Sequence, residues 1–180
     1  MIPLVEVDGE LHILFEIRSP NLRSQPCDVS FPGGKIDKTD ESAIKAATRE
    51  VCEELGVSEK DIEIIAELDL FVAPHGVIIH NFVGKINDIS KISPNSNEVY
   101  SVFTVPISFF QQNEPLVYHN QVKMIRSETF PFHLIPYGKN YPFRDGVNQT
   151  LFWQYNGNTI WGFTAAIVKN FIEILGGSQR

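Results

Sequence analysis

Cysteine is scarce in this sequence. Cys27 and Cys52 are the only two among 180 residues, and neither belongs to a CxxC or Cys/His spacing. This scarcity argues against a disulfide framework and against structural zinc, and it favours free thiols in a reducing compartment. The sequence also lacks any run of about 18 apolar residues, so we expect no membrane span. Its N-terminal stretch carries acidic side chains and no long apolar region, so we expect no secretory signal and predict a cytoplasmic protein.

Basic residues are in the minority. The chain has 15 Lys and Arg against 22 Asp and Glu, which gives a formal net charge of −7. Without a continuous basic stripe, this balance argues against nucleic acid as a main partner, but it is compatible with a small phosphorylated ligand. Each basic residue alone is more simply a solvated surface charge. Five of them nevertheless lie in and around the acidic segment described next: Arg18, Arg23, Lys35, Lys38 and Arg49.

The most informative segment runs from Gly34 to Val57, where a glycine turn precedes a helical pattern that carries Glu50, Glu53 and Glu54. At this spacing the three carboxylates lie within roughly 100° of one another around a helix. Like charges so close together are destabilising unless a cation joins them. Hard divalent ions such as Mg²⁺ take oxygen ligands and often share them with substrate phosphates. The pattern therefore predicts a magnesium cluster that holds a phosphorylated substrate.

A glutamate-rich helix face in contact with solvent is the simpler interpretation of the same residues. Two features argue against it. The segment has a separate apolar face, as expected of a helix that packs on a core. On the carboxylate side the upstream residues are small, which leaves room for a ligand. The apolar face comprises Ile44, Ala47, Val51 and Leu55, and the small residues are Ala43 and Ala46.

The segment resembles the Nudix box, which reads Gly, five residues, Glu, seven residues, then Arg-Glu-apolar-x-Glu-Glu-x-Gly-apolar. The second half matches at every fixed position from Arg49 to Val57. The first half departs from the pattern. Counting back from Arg49 gives Glu41, one residue too far from Gly34, whereas counting forward from Gly34 gives Asp40. Either the loop is one residue longer or Asp40 replaces the glutamate, and the sequence leaves both alternatives open.

The resemblance implies a pyrophosphate hydrolase that depends on Mg²⁺ or Mn²⁺. The implied metal ligands are Glu50, Glu53, Glu54 and a backbone carbonyl at Gly34 or the neighbouring Gly33. The implied catalytic residues are Glu53, Glu54, Glu98 and Arg49. Arg49 would orient the carboxylates by bidentate hydrogen bonding. Glu98 would be a further ligand or the general base, and its simpler interpretation is an exposed loop glutamate.

A second resemblance lies upstream, in residues 14–23 and 29–34. These segments are similar to the extra motif of the coenzyme A diphosphatase branch: an apolar pair, Arg-Ser, three residues, a second Arg, a short loop and FPGG. That branch also carries the longer loop before the Arg-Glu pair, and residues 97–99 and 160–165 resemble it too. The implied substrate is coenzyme A or a derivative, cleaved to 3′,5′-ADP and 4′-phosphopantetheine or its acyl form. The implied substrate-binding residues are Arg18, Arg23, Phe31, Gly33 and Lys35.

One position departs from that branch, because Cys27 stands where it usually has glycine. A cysteine would be strained there if the position requires a positive φ. Two rival functions stay open. One is the same chemistry on ADP-ribose, NADH or another nucleoside diphosphate derivative. The other is a non-catalytic domain that senses a nucleotide, which the complete set of three carboxylates disfavours. A homodimer also stays open.

Hydrophobic residues make up 43% of the chain, so we predict one globular domain over residues 1–180. Periodicity alone indicates an α/β or α+β fold, and the Nudix resemblance implies an α/β/α sandwich with a mixed β-sheet. Residues 115–152 are rich in aromatics and give no clear order of elements. Turns are predicted at 8–9 and 73–76, and helix ends at 56 and 176–177. Strands are predicted over 2–7, 11–17, 29–31, 62–71, 77–83 and 98–105, and helices over 42–55, 107–112 and 159–175.

Overall fold

The structure, a computed structural model, describes residues 1–73 and 76–176. Pro74, His75 and residues 177–180 lie outside the described residues, and with them part of the turn predicted at 73–76 and the second glycine of the predicted helix end. Nine strands and three α-helices occur in the described ranges. In chain order they are β1 (Ile2–Val7), β2 (Glu10–Arg18), β3 (Val29–Ser30), α1 (Ala43–Leu55), β4 (Ile62–Val72), β5 (Ile78–Ile86), β6 (Val99–Pro106), α2 (Ile107–Gln112), β7 (Leu116–Val122), β8 (Gly146–Tyr155), β9 (Asn158–Trp161) and α3 (Gly162–Leu175).

The main sheet grows from the predicted hairpin between β1 and β2. Asp8 and Gly9 have φ values of 50° and 83°, as a two-residue turn of type I′ requires. The strands β1 and β2 are antiparallel, with Leu4 opposite Ile13. Strand β1 also pairs with β5 in parallel, so the sheet is mixed, as predicted. Its order is β3-β2-β1-β5-β4, and β6 pairs with β2.

Helices cover both faces of this sheet. Successive side chains of a strand point to opposite faces. Accordingly Leu14 packs with Val51 and Leu55 of α1, whereas Phe15 belongs to a second cluster that contains Phe171 of α3. This arrangement confirms the predicted α/β/α sandwich.

Helix α1 begins and ends where the sequence predicts. The Ser42 hydroxyl accepts a hydrogen bond from the Lys45 backbone N–H at 3.4 Å and caps the N-terminus. Gly56 ends the helix with a φ of 68°, and its N–H donates to the Cys52 carbonyl at 3.0 Å. A Cβ atom at Gly56 would also overlap the Ser93 carbonyl. These caps fix the position of the acidic residues along the helix.

The start of the last helix was predicted wrongly. Residues 158–161 form β9, in which Ile160 is fully buried opposite Trp153. The turn before β9 is Asn156-Gly157, with φ values of 47° and 83°, a strong hairpin pair that outweighs the helical spacing of the apolar residues. Helix α3 therefore begins at Gly162. The spacing of apolar residues in this segment also predicts Ile174 as a core position. This is wrong as well, because that side chain is 47% exposed.

Residues 115–152, which the sequence left unordered, contribute to a separate sheet of order β7-β8-β9. Strands β7 and β8 are antiparallel, with Leu116 opposite Phe152. The indole N–H of Trp153 donates to the Asn113 carbonyl at 2.9 Å, and its ring packs edge-on against Phe110 of α2. This second sheet therefore attaches to the side of the sandwich that carries α2 and α3.

Candidate active site

A cavity of about 820 Å³ opens beside the N-terminal half of α1. Ala43 and Ala46 line it, so the small residues of the acidic helix do face a space that can hold a ligand. The turn 31–35 forms another wall, and the start of α3 a third. The lining of the cavity is both polar and apolar. Arg18, Gln25, Asp28 and Ser30 are among its polar residues, and Ile36, Val77, Ile78, Trp161 and Phe163 are among its apolar residues.

Glu54 is the most deeply buried carboxylate of the acidic helix, at 3% exposure. Its Oε2 accepts a hydrogen bond from the Gly33 N–H at 2.7 Å, which joins α1 to the cavity wall. Burial, followed by the nearby charge of Glu16, raises the pKa of Glu54 to about 8. Such a carboxylate gains most from a cation placed beside it.

Arg49 holds the other two helix carboxylates. Its Nη1 donates to Glu50 at 3.0 Å and to Glu53 at 3.1 Å. Its Nη2 also reaches the Lys35 carbonyl at 3.3 Å. The arginine therefore fixes the orientation of the carboxylates and ties the turn at 35 to the helix.

Asp40, not Glu41, completes the contacts of Arg49. The two oxygens of Asp40 accept from Nε and Nη2 of Arg49, each at 3.0 Å, in a bidentate pair. Asp40 also accepts from the Asp37 N–H at 2.7 Å, whereas Glu41 is exposed. The guanidinium of Arg49 lowers the pKa of Asp40 below its usual value. Of the two alternatives left open by the sequence, the geometry favours Asp40 in place of the glutamate.

Gly34 packs directly on the acidic helix. A Cβ atom built on Gly34 would overlap the carboxylate of Glu50. Only glycine lets the turn approach this closely. Glu50 is thereby enclosed between Gly34 and Arg49, and its side chain is 15% exposed.

The structure adds Glu16 of β2 to this region, a residue that the sequence analysis did not single out. Glu16 is 1% exposed. The Ser30 hydroxyl donates to its Oε1 at 2.9 Å, but its Oε2 has no hydrogen-bond partner in the described part of the chain. The available signal was a lone glutamate in the apolar strand pattern of residues 11–17.

Glu98 lies just before β6 and is half-buried, so the interpretation as an exposed loop glutamate is wrong. Its backbone carbonyl accepts from the Ser19 N–H at 2.7 Å, and Asn95 donates to its Oε1 at 3.3 Å. Its charge contributes to the raised pKa of Glu54, after burial and the larger effect of Glu16. The charge of Glu98 therefore has a small effect on the acidic helix.

The predicted substrate-binding residues divide into two groups. Phe31, Gly33, Lys35 and Arg18 line the cavity. Phe31 also stacks on Phe15, with ring centroids 5.1 Å apart. Arg23, by contrast, lies on an exposed loop and is not among the residues that line the cavity.

Cys27 has a φ of 62°, so the strain expected for a non-glycine residue at this position is present. Cys27→Gly should stabilise the fold by about 0.5–1 kcal/mol, because relief of the left-handed strain exceeds the entropic cost of a glycine. The melting temperature should rise by about 2–4 °C per kcal/mol in thermal unfolding. Cys27→Ala is the matched control, since it removes the thiol but keeps the Cβ. Equal melting temperatures for Cys27→Gly and the parent would contradict this prediction.

The carboxylate oxygens of Glu50, Glu53 and Glu54 are chemically suited to bind a divalent ion, although the three side chains are not yet arranged around a common point. Within residues 1–73 and 76–176, no group of three or more His, Cys, Asp or Glu side chains stands ready to hold a metal ion. Arg49 engages Glu50 and Glu53, and Gly33 engages Glu54. The donor set consists of carboxylate oxygens, which suit Mg²⁺ or Mn²⁺. The buried, unpaired Oε2 of Glu16 beside them also fits a cation.

The sandwich and the acidic helix together are typical of hydrolases that act on phosphate anhydrides. The sequence model of the NUDIX domain family matches residues 2–128. The chain therefore belongs to the Nudix hydrolase family. Members of this family are hydrolases that act on pyrophosphates, bind small-molecule substrates and generally need a divalent metal ion.

Curated relatives support the same family. A peroxisomal coenzyme A diphosphatase of Mus musculus is 32% identical over 76% of this chain and 57% of its own length. Nudix hydrolase 15 of Arabidopsis thaliana, a mitochondrial protein, is 29% identical over 89% of this chain and 52% of its own. The chain thus spans little more than half the length of these two relatives. No helix within the described residues is long and apolar enough to cross a membrane, and the predicted cytoplasmic location stays a prediction.

Solved structures agree on the fold. A MutT/nudix family protein of Enterococcus faecalis superposes with a TM-score of 0.52 at 15% identity, over 98% of this chain and 60% of that one. An Ap4A hydrolase of C. elegans gives a TM-score of 0.50 at 16% identity, over 59% of this chain and 77% of that one. At these identities the likeness concerns the fold alone.

Proposed function

We propose that this protein is a diphosphatase that hydrolyses the pyrophosphate bond of coenzyme A or a derivative. The observation that carries the proposal is the cavity beside α1, whose lining combines Arg18 and Lys35 with the apolar side chains of Val77 and Ile78. Ala43 and Ala46 of the same lining belong to the helix that carries the acidic residues. The upstream motif at 14–23 and the coenzyme A diphosphatase among the relatives support the same substrate.

The carboxylates of α1 would hold the divalent ion: Glu50, Glu53 and Glu54, with the backbone carbonyl of Gly34. Bound there, Mg²⁺ or Mn²⁺ supplies charge neutralisation for the pyrophosphate and lowers the pKa of a bound water. Arg49 keeps Glu50 and Glu53 oriented for this role through the contacts at 3.0 and 3.1 Å.

Arg18 would bind the phosphates. It lines the cavity, and its Nε is buried without a hydrogen-bond partner among the described residues. A buried donor without a partner is costly, and a phosphate oxygen would satisfy it. We assign the general-base role to Glu98, which would accept the proton of the attacking water. The exposed side chains of Val77 and Ile78 offer apolar contact to a pantetheine arm.

Product analysis tests this proposal. The purified protein is incubated with Mg²⁺ or Mn²⁺ and, in parallel, with coenzyme A, ADP-ribose and NADH. Cleavage of coenzyme A to 3′,5′-ADP and 4′-phosphopantetheine, faster than cleavage of ADP-ribose or NADH, is the expected result. Faster cleavage of ADP-ribose or NADH would keep the hydrolase and overturn the substrate, whereas no metal-dependent cleavage of any of them would favour a nucleotide-sensing domain.

Arginine variants belong in the same assay. Arg18→Ala should raise the KM for coenzyme A about tenfold or more, since a hydrogen bond to a charged group contributes about 1.5–3 kcal/mol. Arg23→Ala tests the role implied by the upstream motif for an exposed loop residue. An unchanged KM in Arg23→Ala would remove Arg23 from the binding site, and an unchanged KM in Arg18→Ala would contradict the phosphate contact.

A further inference from the structure

The alternation of β2 places Glu16 on the α1 face of the sheet. Leu14 packs beneath α1 with Val51 and Leu55. Side chains two residues apart on a strand share a face, so Glu16 follows Leu14 on this same face. The register of β2 shifts between Ile17 and Arg18, so the same argument does not extend to Arg18. In α1, Glu54 lies beside Leu55 and one turn after Val51, and is buried as well. Glu16 and Glu54 therefore approach each other in the layer between sheet and helix.

Other elements close in around Glu16. Its strand partners are Ser30 of β3 and Val102 of β6. Arg18 pairs with Val99, which places Glu98 at the same end of β2. The charged and polar groups around Glu16 are thus Ser30 from β3, Arg18 from its own strand, the amino terminus of Met1 and Glu98 from the loop before β6. The charge of Glu16 also acts on Glu54 of α1.

These neighbours provide a hydrogen bond to only one of the two Glu16 carboxylate oxygens. The Ser30 hydroxyl donates to Oε1 at 2.9 Å, while Oε2 is buried and has no hydrogen-bond partner in the ranges that the structure describes. Burying a carboxylate with a free oxygen next to other carboxylates is costly, and such groups in proteins are normally paired or bound to a metal. The charges of Arg18 and of the Met1 amino terminus favour the ionised form of Glu16, but neither group donates to Oε2. The Met1 amino group donates to the Pro32 carbonyl at 2.8 Å, and the Arg18 Nε is itself buried without a described partner.

We propose that Glu16 is an additional carboxylate of the divalent cation site, with its free Oε2 bound to the ion or to a water on the ion. The site would then draw on the sheet as well as on the acidic helix. This inference rests on the proposed function only in that the protein binds a divalent ion. It does not depend on which pyrophosphate is cleaved.

Titration of the full chain with Mn²⁺ alone, by calorimetry and by thermal shift without substrate, tests this role. Glu16→Gln keeps the shape of the side chain and removes its charge. Glu16→Leu continues the apolar row of Leu14 and serves as the second variant if the amide is not tolerated. Both should bind Mn²⁺ about tenfold or more weakly than the parent, which is the usual cost of losing a group that supports a metal. Glu41→Gln, an exposed carboxylate at the start of the same segment, is the control and should bind as the parent does.

The metal-free melting temperature separates this role from a merely structural one. If Glu16 belongs to the cation site, removal of its charge should leave the metal-free protein equally or more stable. The increase in melting temperature on addition of Mn²⁺ should then be smaller than in the parent. Lower metal-free stability with unchanged Mn²⁺ affinity in both variants would overturn the assignment of Glu16. A parent protein that binds no Mn²⁺ would overturn the metal site and the proposed function together.

Discussion

Replacement of Glu54 by glutamine should make the metal-free protein more stable at pH 8 and at the same time abolish metal-dependent hydrolysis. The folded protein holds the pKa of Glu54 at about 8, against 4.5 for an unperturbed glutamate, because the side chain is buried beside Glu16. The raised pKa therefore costs the folded protein stability at pH 8, on the order of 4 kcal/mol. Glutamine removes that cost and can still accept from the Gly33 N–H. The expected gain in melting temperature is roughly 8–16 °C.

The pH dependence of stability sets the direction of this effect. A carboxyl group whose pKa is raised on folding contributes stability below its unfolded pKa, and this contribution is lost as the pH rises through the folded pKa. The melting temperatures of Glu54→Gln and the parent should be similar near pH 4.5 and diverge up to pH 8. Saturating Mn²⁺ should reverse the order, because the bound ion stabilises only the parent.

Glu53→Gln is the matched control for Glu54→Gln. The Glu53 side chain is 54% exposed and accepts one hydrogen bond from Arg49, so its neutralisation should abolish turnover without the gain in metal-free stability. Thermal unfolding of both variants without metal, beside hydrolysis assays with metal, makes the comparison. An equal stability gain in both variants would contradict a special burial of Glu54, and normal turnover in either would contradict the assignment of metal ligands.

Most of the scaffold could be predicted because its boundaries are set locally. Asp8-Gly9 fixes the first hairpin through backbone conformation alone. Ser42 and Gly56 fix the ends of α1. The start of α3 was harder, since Ile160 satisfies both a helical and a strand pattern. Only the Asn156-Gly157 turn, with its two positive φ values, decides between them.

The site was predictable to the extent that it lies on one helix. Spacing alone places Glu50 and Glu54 on the same side of α1. The contribution of Glu16 could not be predicted in this way, because a glutamate in a strand faces solvent or the interior according to what covers that face of the sheet. The choice between Asp40 and Glu41 also depends on a tertiary contact. The loop before the helix has no regular repeat, so sequence spacing cannot show which of the two side chains reaches Arg49.

Asp40→Asn should lower both activity and stability, while Glu41→Gln should change neither. The bidentate pair with Arg49 would be lost, and the arginine would no longer be held against Glu50 and Glu53. Loss of such a supporting contact typically costs about 10- to 100-fold in activity or metal affinity. Because the pKa of Asp40 is lowered on folding, its stabilising effect is present above its unfolded value of 3.8 and disappears only as the pH falls through the lowered pKa.

The comparison is therefore best made at pH 7, with kcat/KM for the proposed substrate and the melting temperature as readouts. The two variants lie at neighbouring positions and each removes one negative charge. A general electrostatic effect on an acidic protein would therefore change kcat/KM and the melting temperature equally in both. A loss confined to Glu41→Gln would instead mean that the loop carries an insertion and that Glu41 is the functional residue. A loss in Asp40→Asn alone would establish that a shorter carboxylate, reaching Arg49 from the end of the loop, replaces the glutamate of the Nudix pattern in this chain.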